Sequence, residues 1–198
     1  MTFFEDAYIY EIVGWEDDIF GYRFKSEGEH VITKVVSISP IGGVENTYNL
    51  GFGNQEKRED GTVFSNDKST QNNNDFDRVL KTVFKCVIHY LLEVNPTARV
   101  LFSGNAEHKH RTYLGKVGSY IDDLSEFLII EGGALQGDVP LIEEEYIIQK
   151  RGKEIKRKVK VKDQQAIDLL VQNAIVEFLE PFNIDNTKNY QFVSIQLK

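Results

Sequence analysis

Apolar residues in the first quarter of the chain come in short runs, broken by Gly, Asp and Glu. Residues 8–13, 21–25 and 31–38 predict strands, the last with partial alternation, and Pro40-Ile41-Gly42-Gly43 predicts a turn. Residues 47–53 predict a further strand, in which Gly51 and Gly53 suggest a bulge or a close backbone approach. The stretch 54–75 is polar and rich in Gly and Asn, as expected of a loop or hairpin. The period then changes. Val79, Leu80, Val83, Phe84, Val87, Ile88, Leu91 and Leu92 recur at steps of three and four, which places them on one face of a helix over 76–94. Asn74 or Asp75 can cap its start, and Asn95-Pro96 ends it.

A short buried strand follows at 98–103, then a helix over 109–122 whose apolar face is Tyr113, Leu114, Val117, Tyr120, Ile121 and Leu124. Residues 127–131 predict a strand ending at Gly132-Gly133, and 143–162 a charged hairpin turning near Arg151-Gly152-Lys153. Asp163 can cap a last helix over 164–179, stopped by Pro181, and 190–197 closes the chain as an alternating strand. Runs of strands separated from runs of helices predict an α+β architecture, read as one domain over 1–198. Its mostly antiparallel, curved sheet of about six or seven strands would carry a long central helix and flanking helices.

Composition narrows the class. Hydrophobic residues make 41% and charged residues 27% of the 198, which is ordinary for a globular chain and argues against wholesale disorder. The net charge of −8 argues against a surface that binds nucleic acid all over, though it leaves room for a local basic groove. The single cysteine, Cys86, excludes an intrachain disulfide framework and falls in the helical apolar pattern as a small buried hydrophobe. The first residues lack the pattern of a secretory signal, and no apolar run reaches membrane-spanning length. A reduced, cytoplasmic location is expected, with no membrane partner.

Chemistry gathers at 104–113. His108, Lys109, His110 and Arg111 stand where a buried strand turns into a helix, and helix starts attract anions. Lysine and arginine there oppose the helix dipole, which makes sense if a phosphate or carboxylate is held at that spot, with backbone donors adding to the guanidinium fork. Gly104, Asn105, Lys109, Arg111 and Tyr113 are the candidate ligand-binding residues, and His110 and His108 the candidate proton-transfer residues of a metal-free reaction at phosphate. Two histidines two residues apart diverge on a helix and have no identified third ligand, so no metal or other cofactor is expected. His89 reads as a satisfied or solvated histidine at the edge of its helix. A second basic feature is the hairpin carrying Lys150, Arg151, Lys153, Lys156, Arg157, Lys158, Lys160 and Lys162 against Glu154 alone over 150–162. It reads as a lysine-guarded edge, as a ribbon for RNA, or as a contact for an acidic partner.

Tyr48-Asn49-Leu50-Gly51-Phe52-Gly53, the run Asn73-Asn74-Asp75 ahead of Val79 to Val83, and Gly104 to Tyr113 resemble a bacterial family known only as a domain of unknown function. The family motif is Gly-Ser-Thr, two variable residues, Arg-Thr-Arg, an apolar residue and Tyr. Gly104, Arg111 and Tyr113 match it, Lys109 and His110 stand at its first Arg and its Thr, and Asn105 and Ala106 replace the hydroxyl residues. The resemblance implies that this junction is used. Two functional readings follow: a phosphate-recognising protein, as an RNA-directed toxin or defence component, or a non-catalytic module that binds a partner protein or forms a homo-oligomer through the basic hairpin.

Overall fold

The short apolar runs at the start of the chain pair in sequence order, because each is long enough to span a sheet and the polar breaks between them are short enough to turn. The computed structural model describes residues 2–14, 18–57, 63–66, 73–104, 107–135, 141–150, 153–162 and 176–198. Strands β1 (Tyr10–Gly14), β2 (Phe20–Glu27), β3 (Val31–Pro40) and β4 (Thr47–Lys57) form an antiparallel meander. The polar stretch after residue 53 closes as a hairpin: β4 runs on to Lys57, and β5 (Val63–Asn66) pairs back onto its end. Helix α1 (Phe76–His89) leads to β6 (Arg99–Phe102), helix α2 (Glu107–Leu124) and β7 (Leu128–Leu135). A separate two-stranded sheet, β8 (Leu141–Lys150) with β9 (Lys153–Lys162), precedes β10 (Val176–Pro181) and β11 (Phe192–Leu197). The main sheet runs β1-β2-β3-β4-β6-β11-β7-β10, with β5 beside β4. Among its described pairs only β4–β6 is parallel.

Register decides which residues face the helices. Tyr22, Val36 and Phe52 form one row across β2, β3 and β4, and Phe20, Ile38 and Leu50 the next. On the same face lie Val100, Phe102, Ile130 and Ile195, and onto it pack Leu80, Val83, Phe84 and Val87 of α1 with Leu114, Val117 and Leu124 of α2. Phe84 meets Phe102 and Tyr120 edge-on, at centroid separations of 6.5 and 6.4 Å. Cys86 is fully buried, and burial pushes its thiol up, so it packs as a hydrophobe. No helix among the described residues is long and apolar enough to cross a membrane.

The expected α+β class holds, but the expected long central helix does not. α1 ends at His89 and passes into a wider π turn at Tyr90–Val94, closed by the Asn95 N–H on the Tyr90 carbonyl at 2.9 Å. That turn brings the Asn95 amide to the Tyr48 hydroxyl, 3.0 Å away, and ends the helical chain before Pro96. The nine strands of the main sheet also exceed the six or seven expected. One extension comes from β7, which runs straight through Gly132 and Gly133. A Cβ on either would lie 2.3 or 2.4 Å from the ring of Tyr190 or Phe192, so these glycines serve close packing and not a turn. The helix expected over 164–179 falls outside the described residues up to 175. Its last part is strand β10, whose Phe178 and Leu179 pair with Ala134 and Gly133.

The helices are tied by Asp77, whose carboxylate accepts from Lys116 Nζ at 2.7 Å and from the Tyr120 hydroxyl. Burial alone would raise this carboxyl. Those two bonds, with the charges of Lys116 and Lys81, outweigh it and hold Asp77 below the usual carboxylate range. A lowered folded-state pKa adds stability that is complete above the ordinary value of about 4 and fades as the pH falls through the folded value. Asp77→Asn is therefore expected to flatten the acid limb of a stability–pH profile measured by urea unfolding, with little change between the variants below the folded-state pKa.

Candidate functional site

The junction between β6 and α2 does not gather its four basic side chains on one point. Successive residues on a helix turn by about 100°, so 108 to 111 are spread around the axis. His110 turns inward and is only 6% exposed. Its Nδ1 accepts the Gly104 N–H at 3.1 Å, and its Nε2 donates to the Tyr190 carbonyl at 2.8 Å, which fixes the neutral Nε2–H tautomer. With both ring nitrogens on backbone groups, the imidazole staples the start of α2 to the segment before β11. Gly104 is part of the same fit, since a Cβ there would come 2.4 Å from the His110 nitrogen.

Arg111 points away. Its guanidinium is 75% exposed and pairs with Glu107 one turn earlier, at 2.5 Å. His108 is exposed as well, its carbonyl accepting from the Thr112 hydroxyl. Tyr113 packs with Phe52, Phe76 and Phe102, at centroid separations of 5.4, 5.9 and 5.2 Å. Asn105 lies outside the described residues. Lys109 turns to the side, toward β3, close enough for its charge to act on Lys34.

Lys34 was not singled out by motif, yet it stands in the core-facing row of the sheet. Phe24, Lys34 and Asn54 are cross-strand neighbours on β2, β3 and β4, on the face that carries Val36 and Ile38. The Lys34 ammonium donates to Asn54 Oδ1 at 2.5 Å. Burial pulls its pKa down, Asp75 opposes that shift and Lys109 adds to it. The alternation Ile32, Lys34, Val36, Ile38 carried the signal: a lysine inside an apolar stripe.

Beside Lys34 the approach to α1 forms a network of satisfied polar groups. Asp75 Oδ2 accepts from the hydroxyls of Tyr8 and Ser26, each at 2.6 Å. The Tyr8 hydroxyl in turn accepts the Glu27 N–H at 2.9 Å. Buried Asn73 donates to Ser26 Oγ at 2.8 Å and to the His30 carbonyl at 2.9 Å, and accepts the His30 N–H at 2.8 Å. The run Asn73-Asn74-Asp75 thus locks the β2–β3 turn to the start of α1. Phe76 stacks on Tyr113, and Asp77 binds Lys116 and Tyr120, so the start of α1 packs against the middle of α2.

His89 Nδ1 meets the buried Tyr22 hydroxyl at 3.0 Å. No cluster of three or more metal-ligating side chains occurs among the described residues. The basic hairpin is a regular two-stranded ladder from Leu141–Lys162 to Lys150–Lys153. Its register sets Glu143 opposite Lys160 and Glu145 opposite Lys158. Arg151 falls outside the described residues.

The chain belongs to a family described as a family of unknown function (DUF6934), whose model matches residues 5–151. The match takes in β1 through β8 and both helices, and it leaves β9, β10 and β11 beyond its end. No curated protein and no solved structure matches the chain.

His110→Ala removes the bridge between Gly104 and Tyr190 and leaves a buried N–H and C=O unpaired. Urea unfolding is expected to show a loss of about 1–3 kcal/mol, whereas Arg111→Ala, with its partner in solvent, should cost less than about 1 kcal/mol.

Proposed function

We propose that the protein binds a phosphate-bearing anion between Lys34 of β3 and Lys109 of α2. The observation that carries this reading is the position of Lys34 in the core-facing row of the sheet, where burial disfavours its charge and the charge of Lys109 on α2 adds to that effect. Like charges so placed repel, and a bound dianion reverses the sign of that interaction. Asp75 is the neighbouring counter-charge, and two hydroxyl donors already share its Oδ2. The Asn54 amide orients Lys34, and His110 fixes the helix that presents Lys109. The overall charge of −8 confines binding to this patch.

RNA is the phosphate source that would also use the lysines of β9, and action on RNA would suit a toxin or defence component. A second reading, a protein-interaction module, is favoured by the hairpin forming a sheet of its own, with acidic and basic strands in register. It predicts that reversing Lys156, Lys158 and Lys160 to Glu alters co-purifying partners while anion binding is unchanged.

Calorimetric titration with pyrophosphate and with a short single-stranded RNA tests the main reading. Lys34→Met and Lys109→Met are each expected to weaken binding roughly 10- to 100-fold, the value of a hydrogen bond to a charged group. Wild-type affinity should decline with rising pH below the usual lysine range, because the lowered pKa empties Lys34 of its proton early. Lys34→Arg should remove that decline. Equal affinity in wild type and both Met variants would reject the site, and tight RNA binding without pyrophosphate binding would move it to β9.

A further inference from the structure

The two ends of the main sheet are built differently. β10, at one end, is interrupted by a register shift between Val176 and Phe178 and finishes on Pro181, two devices that stop a further strand from pairing. β1, at the other end, has neither. All five of its residues pair with β2 in unbroken register, and it contains no proline and no lysine. Among the described residues nothing pairs with its outer edge. Two large apolar side chains stand in water there, Ile12 at 53% exposure and Ile9 at 93%. A regular edge that exposes large apolar side chains can pair with a further strand.

The sequence of β1 fits itself. Antiparallel pairing of two identical strands about a two-fold axis centres on a single residue. Centring on Glu11 would set two carboxylates face to face. Centring on Ile12 sets Ile12 against Ile12, Glu11 against Val13 and Tyr10 against Gly14. Each feature of the strand then has a use. The exposed Ile12 side chains cover each other. Glu11 keeps its own Arg23, 2.6 Å away, and meets an apolar residue across the axis. A Cβ on Gly14 would have nothing within 4 Å, so the position opposite Tyr10 is open for an aromatic ring to lie over a glycine at a sheet edge.

We propose that the protein forms a two-fold symmetric dimer through antiparallel pairing of β1 with β1 of a second copy, centred on Ile12, which joins the two main sheets into one. The surface is independent of the Lys34–Lys109 site, which lies on β3 and α2.

The test is light scattering coupled to size exclusion over a concentration series, using the full chain. Wild type should be dimeric. Ile12→Lys and Ile12→Glu, each folded by circular dichroism since residue 12 is half exposed, should raise the dimer dissociation constant by at least about tenfold through like charges apposed on the axis. An equimolar mixture of the two variants should regain the dimer, because only residue 12 facing itself places Lys against Glu. A monomeric wild type overturns the proposal. So does a dimer that survives Ile12→Lys unchanged, or a mixture no tighter than its parents.

Discussion

The last strand of the chain holds the sheet together. β11 lies between β6 and β7, so the half built from β1 to β6 joins the half built from β7 and β10 only through it. Val193 and Ile195 are buried in the same core that α1 and α2 cover, and the ladder to β7 extends over six residues. Tyr190, just ahead of β11, ties the neighbourhood further. Its ring lies over Gly132, its hydroxyl donates to Glu180 at 2.8 Å and accepts the Asn183 N–H at 3.1 Å, and its carbonyl takes the His110 proton. A sheet completed by a segment so far along the chain pays its loop-closure entropy before the contacts form, which favours slow, cooperative assembly.

That constraint explains why His110 belongs to the architecture while His108 and Arg111 face water. A buried imidazole must satisfy both nitrogens, and the backbone groups of Gly104 and Tyr190 do so. Placing His110 inward rotates Arg111 and His108 outward and Lys109 toward β3. One side chain's need for partners therefore determines which cation can meet Lys34. The Asn73–Ser26–Asp75–Tyr8 network joins the β2–β3 turn to the start of α1 through side-chain bonds of 2.6 to 2.8 Å. Beside that network of satisfied groups stands Lys34, a lysine in the core-facing row of the sheet on which the charges of Asp75 and Lys109 act in opposite directions.

Charge that looks one-sided along the chain is partly balanced across it. Read linearly, 150–162 is a basic run; read through its register, Glu143 and Glu145 on β8 lie opposite two of its lysines. The same principle acts on β1, where Glu11 is neutralised by Arg23 from the neighbouring strand, leaving its apolar positions to set the character of the edge.

Periodicity by itself determined the α+β class, most of the strands, both helices and the buried state of Cys86, because side-chain period is a local property that burial on one face imprints directly. It also held the clue to Lys34, a charge in an apolar stripe at Ile32, Val36 and Ile38. What only tertiary structure decided depended on partners remote in sequence. Gly132-Gly133 read as a stop and became mid-strand because Tyr190 and Phe192 need the space. The apolar Phe178 and Leu179 read as helix and became strand because β7 was there to pair with them. The basic quartet at 108–111 read as one site and was divided because a helix turns each residue to a different neighbour, and the identity of that neighbour is set by the packing of the whole sheet.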